Sequence, residues 1–120
     1  RVPMGIVTGG YLDQLELSVP RKFLRQFDAV ITGDQVTRGK PNPESYLLGA
    51  KHLGLQPDEC IAVENAPLGI RSAKQANTYC IAICSTVGRD LLLEADERLE
   101  SFEQLRYSEK FQHLLEPKPE

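Results

Sequence analysis

The chain has 120 residues, room for one small domain and not for two. Hydrophobic residues make up 41% and charged residues 26%, an ordinary globular balance, and a net charge of −3 leaves no basic footprint for nucleic acid. The longest strongly apolar run, Tyr79 to Cys84, is six residues, too short to span a bilayer, and no secretory apolar region is present.

Short apolar runs alternate with helix-like stretches. Met4 to Thr8 reads as a strand that ends in the turn Thr8-Gly9-Gly10. Tyr11 to Phe27 reads as helical with a break near Pro20. Ala29 to Thr32 is a short strand closed by Gly33, and residues 33–42 form a polar loop punctuated by Gly and Pro. In the next helix Asn42 suits the N-cap, Pro43 the first helical position and Glu44 the positive end of the dipole. Tyr46, Leu47, Ala50 and Leu53 follow as an apolar stripe, and Gly54 as a stop. Cys60 to Val63 is a buried strand leading into Glu64-Asn65. A further helix carries Pro67 in its first turn, turns Gly69, Ile70 and Ala73 inward, and ends at Asn77 as a left-handed cap. Tyr79 to Cys84 is an Ile-rich strand. Residues 89–95 and 101–106 read as short helices, and the stretch from Tyr107 as one more before a loose tail, Glu116 to Glu120.

Strand–helix alternation predicts an α/β layer fold with mostly parallel strands, in which ligands bind beyond the carboxyl ends of the strands. Three features fall at such ends: Thr8-Gly9-Gly10, the Lys40 loop and Glu64-Asn65. A hydroxyl followed by glycine amides that open a helix is a ready anion cradle, although a strand-to-helix turn with glycine is also common without a ligand. The same turn lacks the third glycine of a dinucleotide fingerprint, because Tyr11-Leu12-Asp13 follows it. Lys40, held between Gly39 and Pro41, is a point charge suited to a phosphate oxygen; its bland alternative is a solvated loop lysine. A carboxylate at the end of a buried strand requires a cation or hydrogen bonds, and Mg²⁺ suits Glu64; the alternative is a helix cap at Asn65 beside a surface acid.

With these residues in place, VTGG (7–10), TRGKPNPESYLLGAKHLGL (37–55) and CIAVENAPLGIRSAKQA (60–76) resemble the second, third and fourth motifs of the haloacid dehalogenase superfamily. The similarity is greatest to the branch of β-phosphoglucomutase, phosphoglycolate phosphatase and small sugar-phosphate phosphatases, and it covers about residues 4–106. The resemblance implies a three-layer, Rossmann-like parallel sheet. Residues 1–106 would form part of that core and residues 107–120 a C-terminal helix and tail. It further implies that Thr8, Gly9 and Gly10 bind the transferring phosphoryl group, that Lys40 balances charge on nucleophile and phosphate, and that Glu64 with Asn65 helps hold Mg²⁺. The family often has Asp where this chain has Asn65, so one negative charge is missing there.

The family's reaction runs through an aspartyl-phosphate, on an Asp-x-Asp-x-Thr element that precedes all three motifs. No counterpart occurs: Asp34 lacks the second Asp, and Asp13, Asp28, Asp58, Asp90 and Asp96 have no suitable context. The chain opens with Arg1 rather than Met, so upstream sequence carrying the nucleophile strand and the substrate-selecting cap is expected. Without that strand, those after residues 4 and 60 lose their shared neighbour. A separate polypeptide, a swapped second copy or direct pairing of the two strands would close the sheet, in that order of expectation.

The parent protein is thus expected to act on a small phosphorylated metabolite, with no nucleic acid or membrane as partner. Self-association or the missing N-terminal segment would complete the sheet. The alternatives are a non-catalytic module that binds phosphate or a partner, and a purely structural domain. Cys60, Cys80 and Cys84 have no metal-ligand spacing and are expected to be reduced, buried thiols of a cytoplasmic protein. His52, His113 and Arg71 receive no role.

Overall fold

The computed structural model describes residues 2–85 and 88–116. It contains five strands: β1 (Gly5–Val7), β2 (Ala29–Ile31), β3 (Ile61–Glu64), β4 (Tyr79–Ile83) and β5 (Glu97–Leu99). The helices are α1 (Leu12–Ser18), α2 (Arg21–Leu24), α3 (Glu44–Leu53), α4 (Pro67–Gln75) and α5 (Glu109–Leu115). All pairings are parallel, and the architecture is α/β as expected.

The strands form two sheets, β1-β2 and β3-β4-β5. Among the described residues no ladder joins β1 to β3, so the direct pairing considered above is not what the chain does. Instead α3 packs on β1 and β2, α4 packs on β3 and β4, and the two helices touch. A single helical layer therefore spans both sheets. Ser72 of α4 donates through Oγ to the Asn42 carbonyl at 2.7 Å, a second link between the halves.

The core sits on the second sheet. Cys80, Ile81, Ala82 and Ile83 of β4 are fully buried, as a central strand covered on both faces requires. Around them Ala62, Ile70, Ala73, Leu92 and Ala95 close one apolar cluster. Ile31 anchors the smaller sheet, also fully buried.

Local signals explain most element ends. Asn42, read as the N-cap of α3, lies one residue before it: the helix starts at Glu44, Pro43 is the N-cap rather than the first helical residue, and Asn42 Oδ1 accepts from the Glu44 amide at 2.9 Å. Gly54 ends it in the left-handed region at φ 73°, where a side chain is strained. Asn77 adopts φ 69° after α4. The break at Pro20 separates α1 from α2.

Three expectations change. Residues 89–95 and 101–106 are not α-helical: Arg89–Leu91 and Phe102–Tyr107 are 3-10 turns, and between them runs β5, which the sequence did not announce. Of the three thiols only Cys80 is buried; Cys60 and Cys84 are half-buried, and all three are free. The tail expected from Glu116 lies, apart from Glu116 itself, outside the described residues. Among the described residues no helix is long and apolar enough to cross a membrane.

Candidate phosphate site at the strand ends

Parallel strands deliver their last residues to one edge of a sheet, and the expected site residues follow from that. Thr8 continues β1, its amide donating to the Ile31 carbonyl of β2 at 2.9 Å. The loop after β2 is tied back to the glycine turn by the Gly33 amide, which donates to the Gly10 carbonyl at 2.8 Å. Farther along, the Thr37 and Arg38 amides donate to the two carboxylate oxygens of Glu44, at 2.8 and 2.9 Å. These bonds set the loop that carries Lys40, whose peptide with Pro41 is cis.

Lys40 Nζ lies 2.6 Å from Glu64 Oε1 at the end of β3 and 3.4 Å from the Val7 carbonyl at the end of β1. One ammonium thus reaches the ends of both sheets. The pair is largely shielded, with Lys40 19% and Glu64 9% exposed. Thr8, Gly9 and Lys40 line one cavity of about 250 Å³, together with Gly33, Thr37 and Ser45. A wider depression of about 450 Å³ lies against α3 and contains none of the site residues.

The structure brings Thr8 and Lys40 to one cavity and Lys40 to Glu64, while Gly10 and Asn65 fit less simply. The Gly10 amide donates to Thr8 Oγ1 at 3.1 Å, so it is engaged inside the turn. Asn65 is exposed, beside the second Glu64 oxygen, Oε2, which accepts from the Asn65 amide at 3.3 Å. Among the described residues no three His, Cys, Asp or Glu side chains cluster as a metal site. Glu64 Oε2 and the Asn65 side-chain oxygen could supply two ligands to a hard cation that takes the rest from phosphate oxygens and water.

Two contributors escaped the sequence reading. Tyr46, read only as part of an apolar stripe, donates its hydroxyl to Glu64 Oε1 at 2.7 Å, and its ring centroid lies 5.3 Å from Lys40 Nζ. Burial, reinforced by the Glu64 charge, pushes the Tyr46 phenol far above its usual range, so it remains a donor. Gly69, read as merely facing inward, lies against the Glu64 carboxylate; a Cβ there would overlap all three of its terminal atoms. Ser45 Oγ is a buried side-chain atom without a hydrogen-bond partner among the described residues. The spacing Lys-x5-Tyr and Glu-x4-Gly is present in the sequence, but only the fold pairs them.

Parallel α/β layers with a hydroxyl–glycine turn and an ion-paired lysine beyond the carboxyl ends of their strands make a Rossmann-like fold, a class in which ligands bind at those ends. A family model of haloacid dehalogenase-like hydrolases matches residues 1–77, and the chain belongs to that family. It is 38% identical over 108 residues to validoxylamine A 7'-phosphate phosphatase of Streptomyces hygroscopicus subsp. limoneus, covering 89% of this chain and 51% of that protein. It is 38% identical over 104 residues to hexitol phosphatase A of Escherichia coli (strain K12), covering 87% and 48%. The crystal structure of CbbY from Rhodobacter sphaeroides in complex with phosphate superposes with a TM-score of 0.74 at 29% identity, over 86% of this chain and 48% of that one. The chain spans about half the length of these relatives.

Proposed function

We propose that the chain is the phosphate- and metal-facing part of a phosphohydrolase for a small phosphorylated metabolite, acting through an aspartyl-phosphate whose aspartate lies outside these 120 residues. The observation that carries the reading is Lys40, whose ammonium joins the carboxyl ends of β1 and β3 and which lines one cavity with Thr8. An ammonium has three N–H donors. Two are directed at Glu64 and Val7, which leaves one for an oxygen of a bound phosphoryl group. Thr8 Oγ1, already accepting from Gly10, keeps its own O–H for a second oxygen. Two of the relatives named above are, by their names, phosphatases of validoxylamine A 7'-phosphate and of hexitol phosphate, which supports a small phosphorylated metabolite as the substrate class here.

Mg²⁺ would sit toward Glu64 Oε2 and Asn65 and, when bound, would neutralise charge on the transferring group. Asn65 contributes a neutral oxygen, so affinity would rest more on Glu64 and on the incoming carboxylate. An extended segment laid between β1 and β3, from upstream or from a second copy, would bring that carboxylate to the Lys40 ammonium and complete the sheet. Retention of the anion site without turnover is the second reading, favoured for the isolated chain because no carboxylate lines the Thr8–Lys40 cavity among the described residues.

The test uses orthovanadate binding followed by ⁵¹V NMR, with sugar phosphates assayed in parallel for release of phosphate. The chain should bind vanadate and release no phosphate. Thr8→Val should weaken binding about tenfold, the effect of one hydrogen bond to a charged group. Lys40→Ala should weaken it further. Equal affinity in all three proteins would sink the assignment.

A further inference from the structure

We infer that Tyr46 is a positioning residue: its hydroxyl, together with the bare surface of Gly69, holds the Glu64 carboxylate so that the Lys40 ammonium keeps one N–H directed at the anion site. This rests on the phosphate role proposed for Lys40 and adds the residues that make that role possible.

The two oxygens of Glu64 are used unequally. Oε1 accepts both Lys40 Nζ at 2.6 Å and Tyr46 Oη at 2.7 Å. Among the described residues Oε2 accepts only the 3.3 Å contact from the Asn65 amide. Tyr46 therefore touches both members of the ion pair, the carboxylate through its hydroxyl and the ammonium through its ring. A phenylalanine would keep the ring contact and lose the bond that stops the carboxylate from rotating. Lysine and glutamate have long, many-rotamer side chains, so an unpinned pair would sample several geometries and aim the third N–H of Lys40 in several directions.

Gly69 closes the other side. Because a methyl group at that position would occupy the space of the carboxylate, Glu64 lies flat against the first turn of α4 only if residue 69 is glycine. Alanine is the better helix former, so helix propensity alone argues against glycine here. The carboxylate is the end of a flexible side chain and can swing aside. Gly69→Ala should therefore displace Glu64 while leaving the fold in place.

The experiment measures binding of inorganic phosphate to the full 120-residue chain by calorimetry, for wild type, Tyr46→Phe and Gly69→Ala. Urea unfolding and the Lys40 side-chain ¹H–¹⁵N signal are recorded for each. Tyr46→Phe should weaken phosphate binding about tenfold and move the Lys40 signal, since a hydrogen bond to a charged group is lost. Gly69→Ala should weaken binding similarly, with the stability lost at Glu64 partly offset by alanine's better helix propensity. Wild-type affinity and an unmoved Lys40 signal in both variants would overturn the role of Tyr46 and leave the phosphate site standing. Absence of phosphate binding in the wild-type chain would overturn both. If Tyr46→Phe unfolds, Gly69→Ala alone decides, because unchanged affinity there refutes the need for a fixed carboxylate.

Discussion

The Lys40–Glu64 pair should show a large, asymmetric energetic signature. Removing the lysine, as in Lys40→Met, leaves a carboxylate that is only 9% exposed. Its remaining partners among the described residues are the Tyr46 hydroxyl at 2.7 Å and the Asn65 amide at 3.3 Å, neither of which carries charge. Stranding a buried charge costs about 3–5 kcal/mol; with Tyr46 still bonded, about 3 kcal/mol is expected. Removing the carboxylate charge, as in Glu64→Gln, is milder. The amide oxygen still accepts from Tyr46, and Lys40, 19% exposed on a flexible stem, keeps Val7 and can turn to water. About 1–2 kcal/mol is expected. In the double variant neither charge is stranded, so the loss should be about 2 kcal/mol rather than the sum of the two, a coupling of about 2–3 kcal/mol. All three proteins should remain folded against a typical domain stability of about 5–15 kcal/mol. Urea unfolding followed by far-UV circular dichroism, with m held common, measures each value. The exposed pair Arg71–Glu94, with side chains 49% and 51% exposed, provides the control cycle and should couple by less than about 1 kcal/mol. Additive losses at Lys40 and Glu64, within about 0.5 kcal/mol, would refute the shielded pair and with it the anchoring of the ammonium.

Two further outcomes follow from the second sheet. Desolvation pushes the Asp96 carboxyl up, but the Lys74 side-chain bond, the Cys80 amide and the Lys74 charge outweigh it and hold the group below the usual carboxylate range. A depressed folded value means the unfolded chain binds the proton more readily, so this contribution is full above the ordinary value and lost as pH falls through the folded one. Melting temperature should therefore drop below about pH 4, and the drop should be shallower in Asp96→Asn; parallel profiles would refute the assignment. Cys80 is fully buried, and burial, with the Glu64 and Asp96 charges, pushes its thiol up to about 12. Iodoacetamide at pH 8 should therefore label Cys60 and Cys84 well before Cys80 in the folded chain, as peptide mapping would reveal, and labelling of Cys80 at the same rate would refute the packing of β4.

What could be read from the sequence was local or carried by a motif. Gly54 and Asn77 announce left-handed positions, and Pro67 a helix start, because each acts through its own backbone. β4 declares itself by a run of buried residues. Strand β5 does not: Glu97-Arg98-Leu99 has no apolar run, and it becomes a strand because it pairs with β4, Ile81 opposite Glu97 and Ile83 opposite Leu99. Tyr79 and Ser108 then fix it by donating to Glu97 Oε2 at 2.8 and 2.7 Å. Lys40 and Glu64 were legible only as members of motifs, since 24 residues separate them. Tyr46 was not legible as a site residue at all. Helical periodicity reports which face of α3 is apolar and is silent about a hydroxyl at the far end of an apolar ring.

The site and the joint between the two sheets are the same structure, and this has a consequence for any variant made there. No strand ladder connects β1-β2 to β3-β4-β5 among the described residues. The halves are held by the α3–α4 contact, by Ser72 on the Asn42 carbonyl, and by Lys40 and Tyr46 of the first half converging on Glu64 of the second. Hydrogen bonds of that kind contribute about 1–3 kcal/mol each when a charge is involved, a large share of the stability of a chain this size. A substitution at Lys40, Tyr46 or Glu64 therefore acts on anion binding and on the joint together. A backbone inserted between β1 and β3 would take over the joining through main-chain bonds on both sides. The side chains at the strand ends would then be free of the joining role, and their stability effects should shrink while their effects on phosphate binding remain.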